Sequence, residues 1–136
     1  MQISEVNKKL QILHDCILIG ISDNLESKIT KLVFITEKID KKITIILKSV
    51  LNSRCEDWKF GNIVLDASIL ENKSRYIDIL IFVEDLNKLQ IEKKQYIDLL
   101  KKIEDKQIHI FELNPSYGAY FVCLFKDIEI NITDII

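Results

Sequence analysis

The chain of 136 residues is 48% apolar and 29% charged, a mixture that suits one globular domain with its own core and is too apolar for disorder. Nineteen basic against twenty-one acidic side chains leave a formal charge of −2, and the lysine pairs are interspersed with acids, so the basic stripe of a nucleic-acid binder is missing. The apolar runs are about five to seven residues long against the roughly twenty needed for a membrane-spanning helix, which argues against a membrane protein.

Met1 to Leu13 places Glu5 near Lys8 and Lys9 and does not read as a secretory leader, so the cytoplasm is the expected compartment. Cys16, Cys55 and Cys123 are odd in number and widely spaced, two of them inside apolar runs, which is the pattern of reduced, buried thiols rather than of a disulfide framework.

In chain order, Ile3, Val6 and Leu10 recur at helical spacing and predict a short helix over Gln2 to Leu10. Cys16 to Ser22 is almost wholly apolar, Ser22-Asp23-Asn24 supplies a turn, and Lys28 to Thr36 alternates with Leu32 and Phe34 on one face, which predicts an antiparallel hairpin. Glu37 to Lys42 connects it to a third strand over Ile43 to Lys48, making a meander. Asn52 to Lys59 breaks the strand pattern, and the turn Gly61-Asn62 introduces a strand over Ile63 to Ile69. After the polar connector Glu71 to Arg75, the run Tyr76 to Val83 reads as a further strand, with Ile77, Ile79, Ile81 and Val83 on one side and Asp78 on the other.

From Leu86 the period changes. Leu86, Leu89, Tyr96, Ile97, Leu99, Leu100 and Ile103 recur every three or four residues and predict one amphipathic helix from Leu86 to Lys106, with Asp85 or Asn87 as its cap. Strands resume at Ile108 to Leu113, Ala119 to Phe125 and Ile128 to Ile132, with Asn114-Pro115-Ser116-Tyr117-Gly118 as the turn between the first two. Connections of some four to eight residues suit hairpins and leave no room for crossovers. The expected architecture is therefore an α+β single domain spanning residues 1–136, a mostly antiparallel sheet of about seven or eight strands with one main amphipathic helix packed on one face.

Few residues invite chemistry. His14-Asp15-Cys16 sets an imidazole, a carboxylate and a thiol side by side, but neighbouring strand residues point to opposite faces, so a structural bond to nearby backbone competes with a nucleophile-and-base pair. His109 stands alone in an apolar run, and the histidines and cysteines never reach the paired spacing of a zinc site. Gly20, Gly61 and Gly118 cannot make a glycine-rich phosphate loop. No catalytic residue, cofactor or metal site is expected, and the chain does not read as an enzyme.

Glu56, Asp57, Trp58 and Phe60 form an aromatic and acidic patch in an irregular segment. It is either a loop folded over the end of the sheet or a partner-binding edge, since loops carry recognition and aromatics make effective anchors. Tyr117 and Tyr120 beside Ser116 can be read in the same two ways.

Leu13-His14-Asp15 before an apolar strand and hairpin, then Glu56-Asp57 and Gly61-Asn62-Ile63, and later Pro115-Ser116-Tyr117-Gly118, resemble the small immunity proteins of bacterial polymorphic toxin systems, including contact-dependent growth inhibition. The resemblance spans most of the chain. It implies a cytoplasmic protein that binds one cognate toxin domain, often a nuclease, and blocks its active site or its access to substrate. It also implies that His14, Asp15, Gly61 and Asn62 hold the sheet together, and it says nothing of which residues face the toxin. Two other readings stand beside it: a small ligand-binding or enzymatic domain whose pocket would be lined by His14, Asp78 or His109, and a homo-oligomer joined through an exposed strand edge.

Overall fold

The computed structural model describes residues 1–135. Eight antiparallel strands and three short helices follow the chain as α1 (Ile3–Leu10), β1 (Ile17–Asn24), β2 (Ile29–Ile35), β3 (Lys41–Lys48), β4 (Asn52–Glu56), β5 (Asn62–Ile69), α2 (Tyr76–Val83), α3 (Lys94–Glu104), β6 (His109–Tyr117), β7 (Tyr120–Phe125) and β8 (Asp127–Asp134). They form one open sheet in the order β4-β7-β6-β5-β1-β2-β3-β8, so the fold is an α+β single domain. No helix among the described residues is long and apolar enough to cross a membrane.

The sheet divides into two four-stranded halves, β4-β7-β6-β5 and β1-β2-β3-β8. Between them β1 and β5 share only two register pairs, Ile17 with Ile63 and Leu18 with Asn62. Beyond those pairs the free edge of β5 is sealed by the segment leading out of α1. Asp15 N–H donates to Val64 O (2.9 Å), Val64 N–H to Cys16 O (3.0 Å), and the Asn7 carboxamide both donates to Ile69 O and accepts from Ile69 N–H. The two halves are also tied covalently at their far strands, because β3 continues into β4 after three residues and β7 into β8 after one.

Inward side chains of both halves meet in one cluster. Leu18, Leu32, Phe34, Ile43, Ile45 and Leu47 come from the meander side, and Val64, Phe111, Leu113, Phe121 and Phe125 from the other, joined by Leu10 at the end of α1 and Leu13 just after it. A second cluster lies on the opposite face of β6 and β7, where Ile110, Val122 and Leu124 pack against Tyr76, Ile79, Leu80 and Val83 of α2 and Ile103 of α3. Being covered on both faces, β7 reads as an unbroken apolar run and β6 is continuously buried from Ile110 to Leu113, whereas β2 and β3 alternate.

Five expectations are corrected. Tyr76 to Val83 is a helix, not a strand: a short continuous apolar run suits either period, and here residues 76, 79, 80 and 83 fall on one helical face against β7 while Ile77 and Asp78 face outward. The helix expected over Leu86 to Lys106 is shorter, because Asp85 takes a left-handed φ of 53° that ends α2, Asn87 accepts from the amides of Leu89 and Gln90 in a separate turn, and Lys93 is extended. There is thus no single main helix on one face; α2 and α3 cover one side and α1 joins the core on the other. Asn52 to Glu56 is a strand, which its polar residues concealed because an edge strand need not alternate. β6 also runs on to Tyr117, and Pro115 is accommodated where the β5–β6 register slips.

A buried ion pair fastens α2 to this framework. Glu112 of β6 is buried and takes two hydrogen bonds from the Arg75 guanidinium (2.6 Å each) and one from Tyr120 Oη (2.7 Å). Burial pushes the Glu112 carboxyl up, but the bonds from Arg75 and Tyr120 and the guanidinium charge outweigh it and hold the group below its usual range. The lowered folded-state value means that the pair stabilises the fold fully above the ordinary glutamate pKa and loses that contribution as pH falls through the depressed one. Because Arg75 is partly exposed, Glu112→Gln is expected to cost about 2 kcal/mol at neutral pH, below the range for a fully enclosed pair. In urea unfolding from pH 7 to pH 3 the gap between the variant and the parent should shrink with acidification; a gap that stays constant contradicts the assignment.

Candidate functional site

The segment between β4 and β5 is held at both ends. At its start, Arg54 donates to Phe82 O (2.9 Å) at the end of α2, lies 4.6 Å above the Phe82 ring and pairs with Glu56 (2.9 Å). Asp57 then takes a left-handed φ of 60° and Gly61 one of 80°. At its end stands Asn62, only 2% exposed. Its Oδ1 accepts from the amides of Lys59 (2.7 Å) and Ala119 (3.0 Å), and its Nδ2 donates to Leu18 O (3.4 Å). One carboxamide thereby ties the loop, the start of β7 and β1.

Gly118 completes this arrangement. Its φ of 89° favours glycine, and a Cβ there would collide with Asn62 Oδ1. The fixed loop carries Trp58, about half exposed, and Phe60, whose exposure of 103% equals that of an isolated side chain. Glu56 and Asp57 flank them on the exposed surface. Trp58 also lines a groove of about 410 Å³ with Ile21, Asp23, Ser53, Cys55 and Phe121, where the upper part of β1 and the outer edge of β4 have no strand between them.

From the head of β5 an apolar row crosses four strands on the face away from the core. Tyr117 is paired with Ile63, Ile63 with Ile17, and Ile17 with Ile35. Two residues at register irregularities widen it: Ile19 in β1 and Leu65 in β5, 51% and 47% exposed, with Tyr117 at 53%. A bulge re-aims a side chain, and here both add apolar surface to a face that neither α2 nor α3 covers. Contiguous exposed apolar surface of this kind marks interaction sites, whereas scattered single residues do not.

The sequence-derived residues fall into two places. Glu56, Asp57, Trp58 and Phe60 stand together on the loop. Gly61 and Asn62 form its base. His14 and Asp15 lie farther along β5: His14 Nδ1 donates to Leu65 O (2.7 Å), since a carbonyl can only accept, while Nε2 faces Asp15 at 3.6 Å and Asp15 itself has a φ of 64°. The imidazole does not face Cys16, whose buried thiol donates to Ile12 O (3.2 Å); burial, with the Asp15 charge behind it, pushes that thiol up. His109 packs on Phe125 and lines a cavity of about 130 Å³ beside Tyr76 and Ile103, with burial lowering its pKa, and Asp78 stands on the exposed side of α2.

The apolar row was missed at the level of sequence except for Tyr117. Its signal was present in β5, where Ile63 and Leu65 occupy the opposite parity from the buried Asn62 and Val64 in a strand that is bare on one face. No family model matches this chain, no curated protein matches it and no solved structure matches it.

Asn62→Ala should cost about 2–4 kcal/mol, since two backbone amides lose their acceptor. Gly118→Ala should be costly in the parent but cheaper in the Asn62→Ala background, where the collision with Oδ1 is gone and the left-handed backbone penalty of about 1 kcal/mol and the tight 3.2 Å approach to the residue 62 Cα remain. A double-mutant cycle by urea denaturation checks the coupling; additive losses contradict it.

Proposed function

We propose that this chain is an immunity protein: it binds a cognate bacterial toxin domain, a nuclease being the leading class, and neutralises it by occluding the active site or the path of its substrate. The observation that carries the reading is the fully exposed Phe60 on a loop pinned by Asn62 and Arg54, at the head of the uncovered row Tyr117, Ile63 and Ile17. An aromatic kept in water by a fixed loop is a preorganised anchor, because little conformational freedom is lost when a partner closes over it. The sequence resemblance supports the same class.

The surrounding charge supports a basic partner. Glu56, Asp57, Asp15 and Asp66 are exposed around the loop and along β5, and complementary charge speeds encounter with a surface built to hold nucleic acid. In this reading the protein acts by surface fit, without a reaction, cofactor, nucleic acid or membrane of its own. Three free cysteines, two of them buried, suit the reducing cytoplasm in which such a protein would meet its toxin.

The test is titration with the toxin domain encoded beside this gene, together with growth rescue on co-expression. Phe60→Ala and Ile63→Asp should each weaken binding by at least about 2 kcal/mol, roughly thirtyfold, with unchanged folding. Failure of the parent protein to bind that domain or to rescue growth rejects the function. Binding that survives both substitutions rejects the surface.

A further inference from the structure

The two edges of the sheet are treated differently. β4 is short, Arg54 and Asn52 reach from it to α2, and the Ser53 amide is taken by the Asn52 side chain (2.8 Å). In β8 one such bond occurs, at its start, where Asp127 Oδ1 accepts from the Ile128 amide (2.9 Å). β8 holds register with β3 over eight consecutive pairs from Asp127 to Asp134, without a bulge, a proline or a lysine. An edge that is long, regular and open beyond its first residues is a template for another strand.

The hydrogen-bond parity of β8 says which groups are free. Ile135 N–H donates to Asp40 O (2.9 Å), so the odd-numbered residues of β8 face β3, and the Ile128 carbonyl and the backbone groups of Ile130, Ile132 and Asp134 face the open edge, the Ile128 amide being held by Asp127. The side chains of Ile128, Ile130 and Ile132 stand opposite the buried Leu47, Ile45 and Ile43, at the border of the core, and Ile132 is 45% exposed.

We propose that β8 pairs antiparallel with β8 of a second copy of this chain, about a two-fold axis at Ile130, to make one continuous sheet through both. This register sets Ile130 against itself, Ile128 against Ile132 of the second copy, Glu129 against Asn131, Asp127 against Thr133, and Lys126 against Asp134. It continues the apolar border and opposes unlike charges at both ends. The neighbouring registers are worse: an axis at Ile128 sets Asp127 against Glu129, one at Glu129 sets that carboxylate against itself, and axes at Asn131 or Ile132 place an isoleucine against Asp134. A second copy is thus the occupant whose sequence complements the edge. This inference is independent of the toxin reading, and the Trp58–Phe60 loop follows β4, at the other end of the strand order.

Sedimentation of the purified chain should give twice the monomer mass of 15.9 kDa, and Ile132→Lys should give the monomer with unchanged circular dichroism. In a Cys55→Ser background, the double variant Glu129→Cys/Asn131→Cys should form an intermolecular disulfide on mild oxidation. Opposed residues of a non-hydrogen-bonded pair have Cα atoms about 4.5 Å apart, within the range a disulfide spans. Asn131→Cys alone should not crosslink. A monomer at every concentration, a dimer untouched by Ile132→Lys, or efficient crosslinking through Asn131→Cys alone overturns the proposal.

Discussion

The carboxamide of Asn62 joins what the sheet itself barely joins. Seven ladders hold the eight strands together, and six of them extend over five or more paired positions; the one between β1 and β5 has two. At that junction backbone pairing alone would leave the halves hinged. Asn62 adds bonds to β1, to the start of β7 and to the loop after β4, and the segment after α1 satisfies the amides and carbonyls of β5 that β1 does not reach. A buried amide side chain with every group satisfied contributes through the cost of losing it, since each orphaned partner forfeits about 1–3 kcal/mol. The same atoms that close the fold also set the angle at which Trp58 and Phe60 leave it.

The faces of the molecule follow from that closure. α2 and α3 lie over β6 and β7, held by the Arg75–Glu112 pair and the second apolar cluster, and this side is finished. The outer surface of β5, β1 and β2 is not covered, and its isoleucines remain in contact with water. Recognition through such a surface needs no reactive group, only a fixed shape. The most reactive-looking side chains are instead committed to the fold: His14 to Leu65 O, Cys16 to Ile12 O, Glu112 to Arg75 and Tyr120.

What was legible in the sequence was the part governed by local period and turn chemistry. The meander β1–β2–β3 shows because Leu32, Phe34, Ile43, Ile45 and Leu47 alternate with half-buried or exposed neighbours, and α1 shows through Ile3, Val6 and Leu10. Tyr76 to Val83 was not legible, because a run with one charge among β-branched residues fits either period and only packing against Val122 and Leu124 decides it. β4 was hidden because its polar residues are those an edge strand tolerates. Gly61-Asn62 was visible as a turn, but the burial of Asn62 depends on Leu18 and Ala119, forty-four and fifty-seven residues away. The apolar row depends on register between four strands, which no single strand encodes.

The most direct test of this account is amide hydrogen exchange at Lys59. Its N–H lies in an exposed loop and would exchange rapidly were it not bound to Asn62 Oδ1. The account requires Lys59 to be protected together with Ala119 in the parent protein, and both to lose protection in Asn62→Ala while amides of β2 and β3 keep theirs. Rapid exchange at Lys59 in the parent would contradict it, for the loop would then be free and the aromatic anchor would have no fixed place.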